Sequence, residues 1–165
     1  MKSFLTLLLL LALTNTVLAQ KQKIEVKDEA VLLDGAKYAL IEQDGCRIMD
    51  TQCVYYLKSL DGKRQVAVKQ LEFVDPAEMS ASHPDGRVLY LQYVFLASGT
   101  KAETPFPTTL HLRAIDVARK VAKGQLFANG TLNEQAVSDF VTTNGMPFAD
   151  RQKELAGPKV IVIEK

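Results

Sequence analysis

Short apolar runs separated by tight-turn pairs fill the chain from residue 22 to residue 97. The pairs Asp34-Gly35, Asp61-Gly62 and Asp85-Gly86 suit hairpin turns, because glycine accepts a positive φ freely and aspartate tolerates one. Between such turns, apolar and polar side chains tend to alternate, which is typical of strands with one buried face. The pattern therefore predicts an antiparallel meander. Its strands are expected near 22–27, 30–33, 36–42, 53–59, 64–74 and 87–97.

Two of these strands carry a more specific pattern. In 64–74 the apolar side chains begin on even positions with Val66 and have moved to odd positions by Phe73. Such a change of phase predicts a β-bulge near Lys69-Gln70. In 87–97 both faces are apolar, so we expect this strand to lie inside the sheet and to be covered on both sides.

Helical periodicity replaces the strand pattern further along the chain. The segments 109–123 and 132–143 each place apolar residues along one stripe, which predicts two amphipathic helices. The expected N-caps are Thr108 or Thr109 for the first helix and Thr131, in a capping box with Glu134, for the second. Gly145 followed by Pro147 is expected to end the second helix.

The last apolar run, KVIVIE at residues 159–164, predicts a strand that returns to the sheet, and the segments 75–86 and 98–107 are expected to be loops. Strands followed by helices and a closing strand indicate an α+β domain. We expect an antiparallel meander sheet of about six to seven strands, with two C-terminal helices packed on one face and a closing C-terminal strand.

The first residues match a secretory signal peptide. Lys2 precedes an apolar run from Phe4 to Leu13, and the stretch ending in Ala19 supplies a small-residue cleavage site. The run is too short to span a bilayer, which needs roughly twenty apolar residues. We therefore predict cleavage after residue 19, a single domain over residues 20–165 without a membrane span, and a periplasmic or secreted location.

The charge balance argues against a nucleic-acid partner. The full chain has 20 Lys and Arg against 19 Asp and Glu, and loss of Lys2 with the signal peptide leaves 19 against 19. A nucleic-acid binder needs a basic surplus to neutralise phosphates, and a net charge of zero does not supply one.

Three alternatives compete for the two cysteines, Cys46 and Cys53. A redox pair needs the Cys-x-x-Cys spacing at a helix start, which is absent. A zinc site needs two further ligands, and the histidines His83 and His111 stand singly. A structural disulfide fits an exported protein best, with free thiols as the remaining alternative. We expect no metal site and no cofactor.

Histidine chemistry and aromatic binding both remain hypotheses. A hydrolase could use His83, which follows Ser82, or His111, but no nucleophile elbow accompanies them and solvated histidines explain the sequence equally well. Tyr55, Tyr90 and Tyr93 could line a ligand-binding sheet face, although core packing also accounts for them. An enzymatic function is therefore uncertain and the less favoured alternative.

The order KIEVKDEAVLLDGAKYALIEQDGC, YYLKSLDGKRQVAVKQLEF and FVTTNG resembles uncharacterised exported proteins of Bacteroidota-type bacteria. The resemblance implies a periplasmic or secreted location and assigns no functional residue. The leading hypothesis is an exported, non-catalytic module that binds an envelope protein or has a structural role. A small-ligand binder that uses the three tyrosines is the first alternative, and a hydrolase around either histidine is the second.

Overall fold

The computed structural model describes residues 22–45, 53–107 and 111–157. Within these ranges, seven antiparallel strands form one meander sheet in the order β1-β2-β3-β4-β5-β6-β7, which confirms the α+β fold class. The strands are β1 Ile24–Lys27, β2 Ala30–Leu33, β3 Ala36–Asp44, β4 Val54–Lys58, β5 Arg64–Val74, β6 Arg87–Phe95 and β7 Lys101–Pro105.

Three helices and a small hairpin follow the sheet in the described part of the chain. The helices are α1 Ala114–Lys123, α2 Glu134–Asn144 and α3 Pro147–Ala156, and the hairpin is formed by β8 Phe127–Ala128 and β9 Thr131–Leu132. A 3₁₀ turn over Pro76–Glu78 lies in the connection between β5 and β6.

Helices α1 and α2 cover one face of the sheet and enclose the main core. Val117 and Val121 of α1 are fully buried against strand residues such as Val31 and Leu57. The Tyr38 hydroxyl ties β3 to this layer, because it donates to the carbonyl of Val121 at 3.3 Å and accepts the Phe127 amide at 2.9 Å. The two helices predicted for one face are therefore present on it.

Helix α3 begins on the opposite face. Successive side chains of a strand point to opposite faces, so Tyr93 and Tyr90 of β6 lie on different sides of the sheet. Tyr93 contacts Phe140 of α2 with ring centroids 5.1 Å apart, whereas Tyr90 stacks on Phe148 of α3 at 4.8 Å. The expected cover on both sides is thus present around Tyr90, whereas Leu96, at the far end of the predicted strand, is 44% exposed.

The predicted bulge at Lys69-Gln70 is wrong. Pairing between β5 and β6 runs without a shift from Val66 to Val74, and the register shift in β5 lies against the end of β4, between Leu57 and Lys58. The apolar phase changes because the second half of β5 is covered from the other side: Phe73 packs edge-on against Tyr90, beneath α3.

Part of the predicted loop 98–107 is strand β7, and Pro147, which was expected only to end a helix, is the first residue of α3. Helix α1 starts at Ala114 rather than 109, because Asp116 accepts the Arg113 amide at 3.3 Å and fixes the start there. The second cap is Asn133, whose side chain accepts from the Ala136 amide at 3.3 Å. Thr131 instead lies in β9.

Several predictions fall outside the described residues. These are the signal peptide 1–19, Cys46, the caps Thr108 and Thr109, and the closing strand 159–164. Within the described ranges, no helix is both long and apolar enough to cross a bilayer.

Candidate binding groove beside an anchored loop

The loop that joins β5 to β6, residues 75–86, is closed at its base and at its tip. At the base, the Asp75 amide donates to the carbonyl of Gly86 at 2.8 Å. At the tip, Ser80 and His83 exchange two backbone hydrogen bonds of 3.1 and 3.0 Å. These contacts hold the tip as a tight turn that presents exposed Ser80, Ser82 and His83 side chains.

A charged pair fastens the loop to α3. The buried Asp75 carboxylate accepts from Arg151 Nε at 2.7 Å and from a terminal guanidinium nitrogen at 3.1 Å, and it also accepts the Ala77 amide at 2.9 Å. Hydrogen bonds from Arg151 and from the Ala77 amide lower the pKa of Asp75. The carboxylate therefore stays charged near neutral pH and keeps the loop in place.

A groove of about 460 Å³, which we call the loop groove, opens between this loop, the ends of β6 and β7, and α3. Its apolar wall consists of Val88, Leu89, Pro105, Phe106 and Phe148, and its polar wall consists of Glu78, Ser80, His83 and Arg87. The groove forms where β7 leaves the sheet. β6 pairs with β5 as far as Arg87, but with β7 only as far as Tyr90.

Glu103 fixes the aromatic wall of the groove. Its carboxylate is 1% exposed and accepts the amides of Phe148 and Ala149, the first turn of α3, at 3.0 Å each. Its other oxygen accepts from Gln92 Nε2 at 3.2 Å. Glu103 thus caps α3 from a neighbouring strand, satisfies amides that a helix start leaves unpaired, and orients Phe148.

The polar wall carries one charge that is neutralised within the protein and one that is not. Arg87 Nε donates to Glu72 at 2.7 Å, which offsets the guanidinium charge. Glu78 forms no ion pair with any described residue. An apolar wall with a few fixed polar groups opposite it is the usual composition of a binding site.

The described residues do not bring the hydrolase candidates together. Ser82 Oγ lies 3.2 Å from Ser80 Oγ, and the His83 side chain forms no hydrogen bond with the described serines or carboxylates. His111 is exposed and precedes α1, on the far side of the sheet from α3. Nor does any group of three or more His, Cys, Asp or Glu side chains in these ranges form a candidate metal site.

The three tyrosines proposed for ligand binding are buried. Tyr55 is 1% exposed and donates to the Leu112 carbonyl at 2.9 Å, and Tyr90 is 3% exposed beneath Phe148. Tyr93 is fully buried, and its hydroxyl has no hydrogen-bond partner among the described residues. Burial raises the pKa of all three hydroxyls. Their ligand-binding role stays a prediction.

Cys53 is 8% exposed at the start of β4, and its sulfur accepts from Gln43 Nε2 at 3.4 Å. The part of the chain that the structure describes contains no free cysteine. Because Cys46 lies outside the described residues, the pairing of the two stays a prediction.

Sequence reasoning named His83 only as a hydrolase candidate and residues 75–86 only as a loop, and it missed Phe106 and Phe148. The missing signal was Pro147, which we interpreted as the end of α2, although proline is also frequent in the first turn of a helix. No family model, no curated protein and no solved structure matches the chain.

Proposed function

We propose that this protein is an exported, non-catalytic binding module, periplasmic or secreted, that contacts another protein of the bacterial envelope through the loop groove. The observation that carries the proposal is the pairing of an open apolar wall with an anchored polar loop. Apolar surface left accessible on a rigid scaffold is a common feature of protein-binding sites.

Both walls of the groove are held in place before any partner arrives. The Asp75–Arg151 pair and the Gly86 contact fix the loop, and the Glu103 cap fixes Phe148. Preorganised groups lose little conformational entropy on binding, so even a small groove can contribute useful affinity. The Ser82 hydroxyl is directed at Ser80 rather than at a base, so the geometry supports binding better than hydrolysis.

Site-specific photocrosslinking in the cell envelope tests the proposal. A photoreactive phenylalanine analogue replaces Phe106 in one variant of the full chain, and it replaces the exposed Leu96, beyond the other end of β6, in a control variant. We expect a discrete protein adduct from position 106 that the second-site change Phe148→Ser weakens. No adduct from position 106, or the same adduct from both positions, would overturn the proposal.

Native mass spectrometry of the purified, exported protein tests the alternative that the groove binds a small ligand. If it does, the spectrum shows a reproducible excess mass that disappears on denaturation. In that case the groove binds a small molecule, and the protein partner is rejected.

A further inference from the structure

The two edges of the sheet differ in how their backbone groups are satisfied. On β7, the Glu103 amide donates outward to the Gly145 carbonyl at 2.9 Å, so the connection between α2 and α3 covers that edge. No strand in the described ranges pairs with the outer side of β1. An edge without a neighbouring strand is a template for pairing, either with the predicted strand 159–164, which lies outside the described residues, or with another chain.

The register of β1 determines which groups are available for pairing. The Lys23 carbonyl accepts the Asp34 amide at 2.8 Å, and Glu25 lies opposite Leu32 of β2. Backbone groups alternate in direction along an antiparallel strand, so those of Ile24 and Val26 point away from the sheet. The ladder with β2 runs from Lys23 to Lys27 and Gln22 precedes it, so 22–26 is the short segment available for pairing.

Charged and apolar side chains alternate along this edge. Lys23 and Glu25 lie on the outer face, where Lys23 Nζ and Glu25 Oε1 form an ion pair of 3.0 Å, and Lys27 follows them. Ile24 and Val26 point toward the core and are only half-buried. The strand is charged on one face and apolar on the other, as antiparallel strands with one covered face usually are, so any pairing has to match these charges.

We propose that two copies of the protein pair through β1, antiparallel, about a two-fold axis at Ile24. In this register Ile24 faces the partner's Ile24, and Lys23 faces the partner's Glu25 on both sides of the axis. The outward backbone groups of residues 22, 24 and 26 then bond to the same groups of the second copy. A two-fold interface uses one patch twice, and this patch is complementary to itself.

Charge excludes the neighbouring register. Centring the axis on Glu25 would place that carboxylate against the partner's Glu25 and Lys23 against the partner's Lys27, and like charges directly opposite are unfavourable. Centring it on Val26 would use Asp28, which has φ of +49° and lies in the turn rather than in the strand. Only the register at Ile24 keeps residues 22–26 extended with opposite charges paired.

The pairing joins two seven-stranded sheets at their β1 edges and leaves both β7 ends, with their loop grooves, at the outside. A dimer of this form would present two grooves to a partner assembly, which raises the apparent affinity without new contacts. The edge available for pairing is only about five residues long, so we expect a weak, concentration-dependent dimer rather than an obligate one.

Sedimentation velocity of the exported protein tests the pairing, over concentrations from about 1 μM to about 1 mM. We expect a reversible monomer–dimer equilibrium. Glu25→Lys alone and Lys23→Glu alone should each weaken self-association at least about tenfold, because each brings like charges together at two positions. An equimolar mixture of the two single variants should form a heterodimer, and the Lys23→Glu/Glu25→Lys double variant should recover the homodimer.

Ile24→Pro provides a second and independent variant. It removes an outward amide that β2 does not use, so the fold should persist, as circular dichroism checks, while the dimer is lost. A wild-type protein that stays monomeric throughout, or a dimer that neither charge reversal affects, would overturn the inference. Either result leaves the crosslinking at position 106 unchanged, because the groove lies at the opposite edge.

Discussion

Gly86 shows how one residue determines the shape of the candidate site. Its φ is +58°, and a Cβ at this position would lie 2.6 Å from the Asp75 carbonyl oxygen and 2.8 Å from Met79 Cγ. The sequence marked Asp85-Gly86 as a turn because of the positive φ that glycine accepts. It could not indicate the close approach of Asp75, which is 11 positions earlier in the chain.

Gly86→Ala should therefore destabilise the protein, by about 2 to 4 kcal/mol, since it adds a backbone clash to the strain of a positive φ. Gly62→Ala is the matched control. Gly62 has φ of +89°, and a Cβ added there would meet nothing within 4 Å, so Gly62→Ala adds only the strain of a positive φ. Urea unfolding of both variants measures the difference, and equal losses would contradict the role assigned to the Asp75 contact.

Helix α3 links the two halves of the candidate site. Pro147 begins it, Glu103 caps it, Phe148 forms the groove wall and Arg151 holds the loop. The roles of Glu103 and Arg151 each join α3 to a residue distant in sequence. Pro147 ends α2 and also favours a new helix locally, and the buried Glu103 carboxylate satisfies the amides of that helix start.

The Asp75–Arg151 pair should make stability depend on pH. The pKa of Asp75 in the folded state lies below the ordinary value of 3.8, so the native state favours the charged carboxylate. The stabilisation by the Asp75–Arg151 pair is therefore complete above pH 3.8, and it is lost as the pH falls through the lower pKa that Asp75 has in the folded state. The destabilisation caused by Arg151→Gln should be largest near neutral pH and should vanish in acid.

Lys153→Gln is the control for this experiment. It removes an exposed pair with Asp150 on the same helix, and exposed pairs contribute little. Unfolding by urea at a series of pH values compares both variants with the wild type. A loss for Arg151→Gln that is the same at acid and neutral pH would contradict the assignment to Asp75.

At the scale of the whole molecule, the two faces of the sheet are covered by different helices. Within residues 22–45, 53–107 and 111–157, the β7 edge is covered by the connection between α2 and α3, and no strand pairs with the β1 edge. The groove lies near the β7 edge and the proposed self-pairing uses the β1 edge. Both surfaces can therefore be occupied at the same time, which suits a module that assembles and binds.

Export and the disulfide are predicted together, because the pair of Cys46 and Cys53 requires an oxidising compartment. Mass spectrometry of the protein exported with its own leader should give the mass of residues 20–165 less two hydrogens. Reduction should lower the free energy of unfolding by about 2.5 kcal/mol, the chain-entropy value for so short a loop. Reaction with two equivalents of a thiol reagent under non-reducing, denaturing conditions would contradict the pairing.

Local patterns alone determined the meander and the two helices of the main core. Strands joined by a tight turn usually pair with each other, and an apolar stripe usually faces the core, so periodicity and turn residues predicted most of this arrangement. The short strand β7 was not predicted, because its sequence, KAETP, shows little alternation of apolar and polar residues. The phase change in β5 was visible in the sequence, but it had two explanations: a bulge and a cover on the second face.

Only the tertiary structure decided between those explanations, and only it assembled the groove. The groove combines residues from three separate segments of the chain, among them Phe148, Phe106 and His83. Their positions depend on two long-range contacts: the Glu103 cap at the start of α3, and the ion pair between Arg151 and Asp75. Contacts between residues far apart in sequence leave no local signature, because each residue taken alone fits an ordinary loop, strand or helix. The sequence therefore determined the layers of this protein, while long-range hydrogen bonds and ion pairs decided the site between them.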